Sequence, residues 1–582
     1  MKAIYFQLVL LSAIFYSCNK NQGTLETKVS PEIRVNQLGY FPDETKKAVI
    51  TGLSDANDFS IVEIKSNQKV FQGELSAEIK TTFSDKTVRH ADFSTFRNEG
   101  EFCVFVKGLG CSPPFGISNG IIKELGKASL KAFYFQRAST DLPEQYAGIW
   151  ARNAGHPDDR IFVHASAANS ERQENEIISA PFGWYDAGDY NKYIVNSGIT
   201  MGTLLSLFED FPEFSKNLDL EIPESGNEIP DILDELLWNL KWMSAMQDPD
   251  DGGVYHKLTT ADFEGMVLPE YAVNKRYVVA KSTAAALDFA AVMAQSARVF
   301  KDFYPNLEKE YLNAAELAWN WALENPEVYY KQNEMNNQFS PAINTGAYGD
   351  NQLKDEWIWA AAELYISTQN PDYLKKIEIP KEFELPSWSK VSWLGYYSLI
   401  RKQDELPNLQ KSLLDAIKRT LINQADQYVD FAANNAYLTS MGSSEKDYVW
   451  GSNSVASNQG IALVQAYKLT GEEKYLETAI GNINYILGKN ATGYSYVTGF
   501  GFQTPMRPHH RLAEAEPEKA PLPGFMVGGP NPSQQDACNY ISNLPDESFV
   551  DEACSYASNE IAINWNAAFA YFINAVNFLK EA

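Results

Sequence analysis

The chain has 582 residues, too many for one ordinary domain, so two or more folding units are expected. Its formal net charge of −26 argues against nucleic acid and anionic membrane surfaces as partners and disfavours polyanionic substrates; neutral polymers remain compatible. Aromatic content is high, with 12 Trp, 31 Tyr and 32 Phe.

Lys2 precedes an apolar run from Ile4 to Tyr16 that is too short for a permanent membrane span. It reads as a signal peptide over residues 1–17, followed by a polar tether over 18–30. Ser17-Cys18 resembles a lipoprotein processing site, so Cys18 is the expected point of lipidation and the chain is expected in the cell envelope, exported and monomeric. Four cysteines then remain: Cys103, Cys111, Cys538 and Cys554. Sequence proximity favours 103–111 and 538–554, but two disulfides and four free thiols both stay open. No CxxC pair is present, so no cysteine zinc site is expected.

Residues 31–118 carry short β-rich runs, among them 48–50, 61–64 and 101–106, separated by turn signals. This spacing predicts a small β-sandwich. From 119 to 582 the pattern is helical. Ile121, Leu125, Ala128, Ala132 and Phe135 recur at helical spacing, as do Leu233, Leu236, Leu240 and Met243. The Ala-rich stretch 282–300 is apolar nearly all round, which predicts a helix buried on most sides. Further helices are expected near 200–209, 307–323, 353–368, 390–401, 408–424, 455–469, 473–487 and 561–579, with almost no strands between them. A parallel α/β barrel is thereby excluded, and a toroid of paired helices fits. The long non-helical segments 249–280, 325–350, 440–454 and 490–558 are expected to line a cleft at one end of it.

Three clusters carry chemistry. Asp186 and Asp189 flank Ala187-Gly188 in a predicted tight loop, where two close carboxylates cannot both ionise freely. Such a pair can hold a water. Around them Trp184, Tyr185, Tyr190 and Tyr193 offer flat faces of the kind that pack on sugar rings. Glu560 stands before an apolar helix; Tyr556 and Trp565 are placed to form an apolar wall that would raise its pKa and suit a general acid. Pro508-His509-His510-Arg511 holds two of the six His beside Arg, and substrate contact is the expected role.

Together these residues resemble glycoside hydrolase family 9, the inverting cellulases. The resemblance begins at Ile33 to Tyr40, similar to the opening of that family's immunoglobulin-like module. It runs on through Trp184 to Asp189, Gly252 to Lys257, Tyr496 to Gly501, Pro508 to Arg511 and Asp551 to Ala567. It implies an (α/α)6 barrel behind the β-sandwich and hydrolysis of β-1,4-glucosidic bonds in cellulose-type glucans with inversion. It implies Asp189 as general base, Asp186 as its partner on the water, and Glu560 as general acid. His509 and Arg511 match residues that hold the sugar, and Asp551 matches the Asp of the Asp–Glu signature, expected to support the acid. His256, Trp450, Tyr348 and Tyr556 are further candidates for sugar contact; Trp357 and Trp359 read equally well as core.

No cofactor is implied for the chemistry. Structural calcium is compatible with the family, with ligands unassigned. Gln136-Arg137-Ala138-Ser139 lacks the Cys of a zinc site found in some relatives, although His156 and His164 are present, so that zinc is not expected. Gln503 also departs from the residues usual near the His. Two other readings stay open: a glycan-binding lipoprotein without catalysis, and an exo-acting glucosidase.

Overall fold

A computed structural model describes residues 28–52, 54–84, 86–406 and 408–581. The signal, the Cys18 anchor and most of the tether lie outside them. None of the described helices is long and apolar enough to cross a membrane.

Residues 33–117 form two facing sheets. One is four-stranded and runs, edge to edge, through 33–34, 47–50, 87–92 and 79–80. The other is six-stranded, in the order 39–40, 115–117, 100–106, 58–63 and 68–74, with 110–111 pairing beside 100–106. Alternate side chains meet between them, and Tyr40, Phe59, Phe93, Phe96, Phe102 and Phe115 build an aromatic core. Cys103 and Cys111 are free thiols buried beside Val62. Cys538 and Cys554 are bridged, with Cα atoms 5.5 Å apart.

From Lys123 onward the fold is helical. Helices Ile194–Asp210, Thr283–Phe300, Lys354–Thr368, Ser392–Arg401, Ser452–Thr470 and Ile563–Glu581 are buried on nearly every side. They close a ring: 563–581 packs on 194–210, which packs on 283–300, then 354–368, then 392–401. Helix Lys411–Asn434 bridges 392–401 to 452–470, which returns to 563–581. Lys123–Phe135, Asp231–Ala245, Pro305–Glu324 and Glu473–Ile486 are amphipathic and pack outside. The alanines of 283–300 let neighbouring helices approach closely, and Ser282 caps its N-terminus by accepting from the Ala285 amide.

One element was absent from the sequence expectation. A five-stranded sheet, ordered 177–178, 161–163, 276–278, 257–260 and 192–193, lies between the helices. Its strands are two to four residues long, too short to show alternation. It joins the residues after Asp189 to the strand that begins at Lys257.

The β-sandwich grips the helical part through its Asn36-Gln37 turn. Asn36 Nδ2 donates to Asn484 Oδ1 at 2.7 Å, and Gln37 Nε2 to the Gly493 carbonyl at 2.6 Å. Gln37 Oε1 accepts from the amides of Phe502 and Gln503, at the start of the segment that leads to His509.

Candidate active site

The two distant clusters meet through their backbones. Ala187 and Ala562 form an antiparallel bridge, and His509 and Glu560 a parallel one. The Ile563 amide donates to the Asp186 carbonyl at 2.8 Å, and the Arg511 amide to the Gly188 carbonyl at 3.0 Å. Gly188 is required by proximity rather than by a sharp turn: a Cβ there would lie 2.1 Å from the His509 carbonyl oxygen. Residues almost four hundred positions apart in sequence are therefore hydrogen-bonded neighbours.

Asp186 is buried. It accepts from Asn196 Nδ2 on Oδ1 and from the Tyr348 hydroxyl on Oδ2, the latter at 3.0 Å. Burial pushes its pKa up to about 8, and the neighbouring Asp189 adds to the shift. Asp189 Oδ2 accepts from Asn191 Nδ2 at 2.5 Å and from the Tyr193 hydroxyl at 3.2 Å. Glu560 is held well above the usual carboxylate range, first by burial and then by the charges of Asp189 and Asp186. The sequence reading offered only an apolar wall as the cause; the charges of Asp189 and Asp186 add to the burial of Glu560. A carboxyl held in its protonated form at neutral pH, as Glu560 is, can give up a proton.

Several candidates have different roles from those expected. Trp184, Tyr185, Tyr190 and Tyr193 are all buried, so they are core and not sugar platforms. Their polar ends fix the loop: Trp184 donates to Glu235, Tyr190 to the Val267 carbonyl and Tyr193 to Asp189. His256 is fully buried and cannot touch a sugar. Its Nε2 donates to the Ala347 carbonyl at 2.8 Å, its Nδ1 meets Ser282 Oγ, and its ring stacks on Tyr330. Burial pulls its pKa down to about 3, so it is a neutral strut behind Tyr348.

Asp551 also works through others. It accepts from the amides of Met506 and Arg507 and from Asn559 Nδ2, tying the His509 segment to the residue before Glu560. It supports the site and is not a reacting group. Arg511 is largely buried, with Nε on the Glu264 carbonyl and Nη1 on the Gly188 carbonyl, so it clamps the Asp loop. Its charge opposes the upward shift of Glu560.

His509, Tyr556 and Tyr348 are partly exposed, and Trp450 is exposed. His509 Nδ1 donates to the Ala553 carbonyl at 2.7 Å, which fixes its tautomer; burial lowers its pKa. Its ring meets Tyr556 edge-on, and Tyr556 lies tilted against Trp450, whose indole is 42% exposed. Tyr348 has φ +46°, an uncommon conformation for a residue with a side chain, and is wedged between Tyr193 and Trp388. Beyond it a cavity of about 640 Å³ opens, lined by Gly349, Trp388, Lys390 and Trp393 among others. Trp359 is fully buried and Trp357 packs edge-on to Trp319, so both belong to the core.

Sequence reasoning missed Asn191, Asn196, Lys257 and Thr345. Asn191 and Asn196 follow the Asp pair closely, and that was the available signal; Thr345 is brought in only by the fold.

A match to the glycosyl hydrolase family 9 model spans residues 123–573, and one to the cellulase N-terminal ig-like domain spans 28–110. The chain belongs to glycosyl hydrolase family 9. It is 44% identical over 578 residues to a xyloglucan-specific endo-beta-1,4-glucanase of Bacteroides ovatus, covering 98% of this chain and 97% of that one. It is 32% identical to endoglucanase D of Acetivibrio thermocellus, over 97% of this chain and 85% of that protein. Among solved structures, a Bacteroides ovatus family 9 protein superposes with a TM-score of 0.88 at 44% identity, over 94% of this chain and 99% of that one. A metagenome-derived family 9 endoglucanase gives 0.84 at 29% identity, over 94% and 98%. The sandwich and helical ring described above accord with the (α/α)6 architecture of this glycoside hydrolase family.

The chemistry of the family 9 enzymes needs no cofactor. Among the described residues no three His, Cys, Asp or Glu side chains converge as a metal site. His156 bonds the Tyr185 hydroxyl and His164 bonds Ser166 and the Pro341 carbonyl, so they do not share a ligand position.

Proposed function

We propose that this family 9 hydrolase is an endo-acting β-1,4-glucanase whose preferred substrate is a branched glucan of the xyloglucan type. The convergence of Asp186, Asp189 and Glu560 carries the catalytic reading. The 44% identity to a xyloglucan-specific relative supports the substrate. Asp189 takes the proton from a water that Asp186 helps to place. The water attacks the anomeric carbon, and Glu560 protonates the departing oxygen from the opposite face, which inverts the configuration. Tyr348 orients Asp186; Trp450 and Tyr556 form a tilted aromatic platform for sugar rings. His509 presents its ring to the sugar beside Glu560.

The test is reducing-end release from xyloglucan, mixed-linkage glucan and soluble cellulose, followed by chromatography of products over time. The reading expects xyloglucan to be cut fastest and long fragments to appear early. Short products alone from the first minutes would replace the endo assignment with an exo one. Tight oligosaccharide binding without turnover would leave only a glycan-binding protein.

The same proposal places the enzyme in the cell envelope as a monomer, anchored by lipid on Cys18. Structural calcium belongs to it as well. A Tm that falls on adding chelator and returns with calcium supports it; an unchanged Tm removes it.

A further inference from the structure

Lys257 is fully buried behind the Asp loop. Its ammonium donates to Gln332 Oε1 at 2.8 Å, Thr345 Oγ1 at 2.9 Å and the Gly346 carbonyl at 2.6 Å, all neutral acceptors. It also lies over the rings of Tyr193 and Tyr330. Among the described residues it forms no ion pair within 4.0 Å. A buried cation without a paired anion is costly, so a compensating charge must lie close by.

That charge is Asp189, and a chain of hydrogen bonds leads to it. Thr345 Oγ1 accepts from Lys257 and lies 2.6 Å from Thr259 Oγ1. The single Thr259 hydroxyl hydrogen is within reach of Asn191 Oδ1 at 3.1 Å and of the Thr260 carbonyl at 2.9 Å; the relay uses the first of these. Asn191 Oδ1 also accepts from the Thr260 amide, which fixes the side-chain amide so that Nδ2 points to Asp189 Oδ2. Every donor in the chain can point from the ammonium towards the carboxylate, an alignment in which each bond polarises the next. Tyr193 supplies a second, shorter route, with its ring under the ammonium and its hydroxyl on the same Asp189 oxygen.

We infer that Lys257 is a positioning residue for the hydrolysis, a buried counter-charge that holds the negative charge on Asp189 and orients its carboxylate through Thr345, Thr259 and Asn191. The inference rests on Asp189 being the base. Burial lowers the pKa of the ammonium to about 7 even with Asp189, the one charge that acts on it, drawing it upward. The other groups facing Lys257 are uncharged: His256 turns to Ser282 and Ala347, and the Tyr193 and Tyr330 hydroxyls are held far above neutrality by burial. Asp189 is faced in turn by Asp186, Glu560, His509, Tyr193 and Tyr348. Of these only His509 can become positive, and burial disfavours its charged form. Lys257 is thus the cation that offsets Asp189, as Arg511 offsets Glu560.

The test is the pH profile of kcat/KM on a soluble β-1,4-glucan for the wild type and for Lys257→Met, Lys257→Arg and Thr259→Val, with Tm recorded for each. A base works only when ionised, and a nearby cation favours that form. Removing the cation therefore moves the acidic limb to higher pH, by about one unit for Lys257→Met and by less for Thr259→Val. Lys257→Arg keeps the charge, so its rate falls while the limb stays in place. A Lys257→Met variant that is slower by the same factor at every pH would show that Lys257 only holds the 345–348 loop. A limb that moves as far in Lys257→Arg would also overturn the inference. If Lys257→Met does not fold, Thr259→Val and Lys257→Arg decide, and an unmoved limb in Thr259→Val overturns the inference. Asp189→Asn keeps the two failures apart: full activity there sinks the base assignment, whereas an inactive Asp189→Asn with unmoved limbs sinks only the role of Lys257.

Discussion

Helix Ile194–Asp210 has buried carboxyls at both ends, and the two ends treat them in opposite ways. Before its start lie Asp186 and Asp189, with Glu560 beside them, and burial, reinforced by like charges, pushes Asp186 and Glu560 upward. At its end lie Glu209 and Asp210. Arg298 and Arg401 grip Glu209, and Arg401 and Lys468 grip Asp210. Arg298 first, then Arg401, hold the Glu209 carboxyl at about 2 despite its burial. The closed end uses its charges to lock helices together. At the open end Lys257 and Arg511 act on the carboxyls from beyond ion-pair distance, which suits the proton exchange proposed for Asp189 and Glu560. Burial is common to both; the sign of the neighbours separates scaffold from site.

The largest effect expected from breaking this contrast is at the open end. Asp189→Asn or Glu560→Gln lowers the rate by about a hundredfold to ten-thousandfold while leaving the fold intact. Reducing-end assays with circular dichroism check this; a folded variant with near-wild-type rate contradicts it. At the closed end Arg401→Met leaves Asp210 underpaired and costs about 3–5 kcal/mol of stability, while the rate per folded molecule is unchanged. Denaturant unfolding and active-site titration read the two quantities separately.

Tyr348→Phe removes the hydroxyl on Asp186 and is expected to cost about tenfold in kcat with little change in KM. A smaller effect sharpens the comparison through pH. The folded-state pKa of Asp186 is raised to about 8, so it favours folding most below its unfolded value, and that contribution is lost as pH rises through about 8. Asp186→Asn therefore gains Tm relative to wild type at pH 8–9 and not at pH 4. An equal difference at both pH values contradicts the assignment. Smallest is Trp450→Ala, which removes a partly exposed platform and raises KM by about two- to tenfold with kcat nearly unchanged.

The sequence made some of this legible and hid the rest for identifiable reasons. The Asp186–Asp189 pair and Glu560 stand in dense local motifs, and the helices around them repeat their apolar residues at every third or fourth position. Both signals survive in one dimension. The five-stranded sheet left no such trace, because its strands are two to four residues long and buried. Lys257 was visible as part of a motif, yet its contacts with Gln332 and Thr345 arise only when 257–260 is paired into that sheet. Aromatic side chains misled most: Trp184 and Tyr185 read as sugar platforms and are fully buried, whereas Trp450, in a Gly-containing loop, is exposed.

The central claim is that a water loaded by Asp189 attacks from the face opposite to Glu560. Proton NMR of the anomeric signals during the first minutes of hydrolysis tests it most directly. The account predicts α-configured reducing ends as the first products, later equilibrating to the mixture. Newly released ends of β configuration would contradict it.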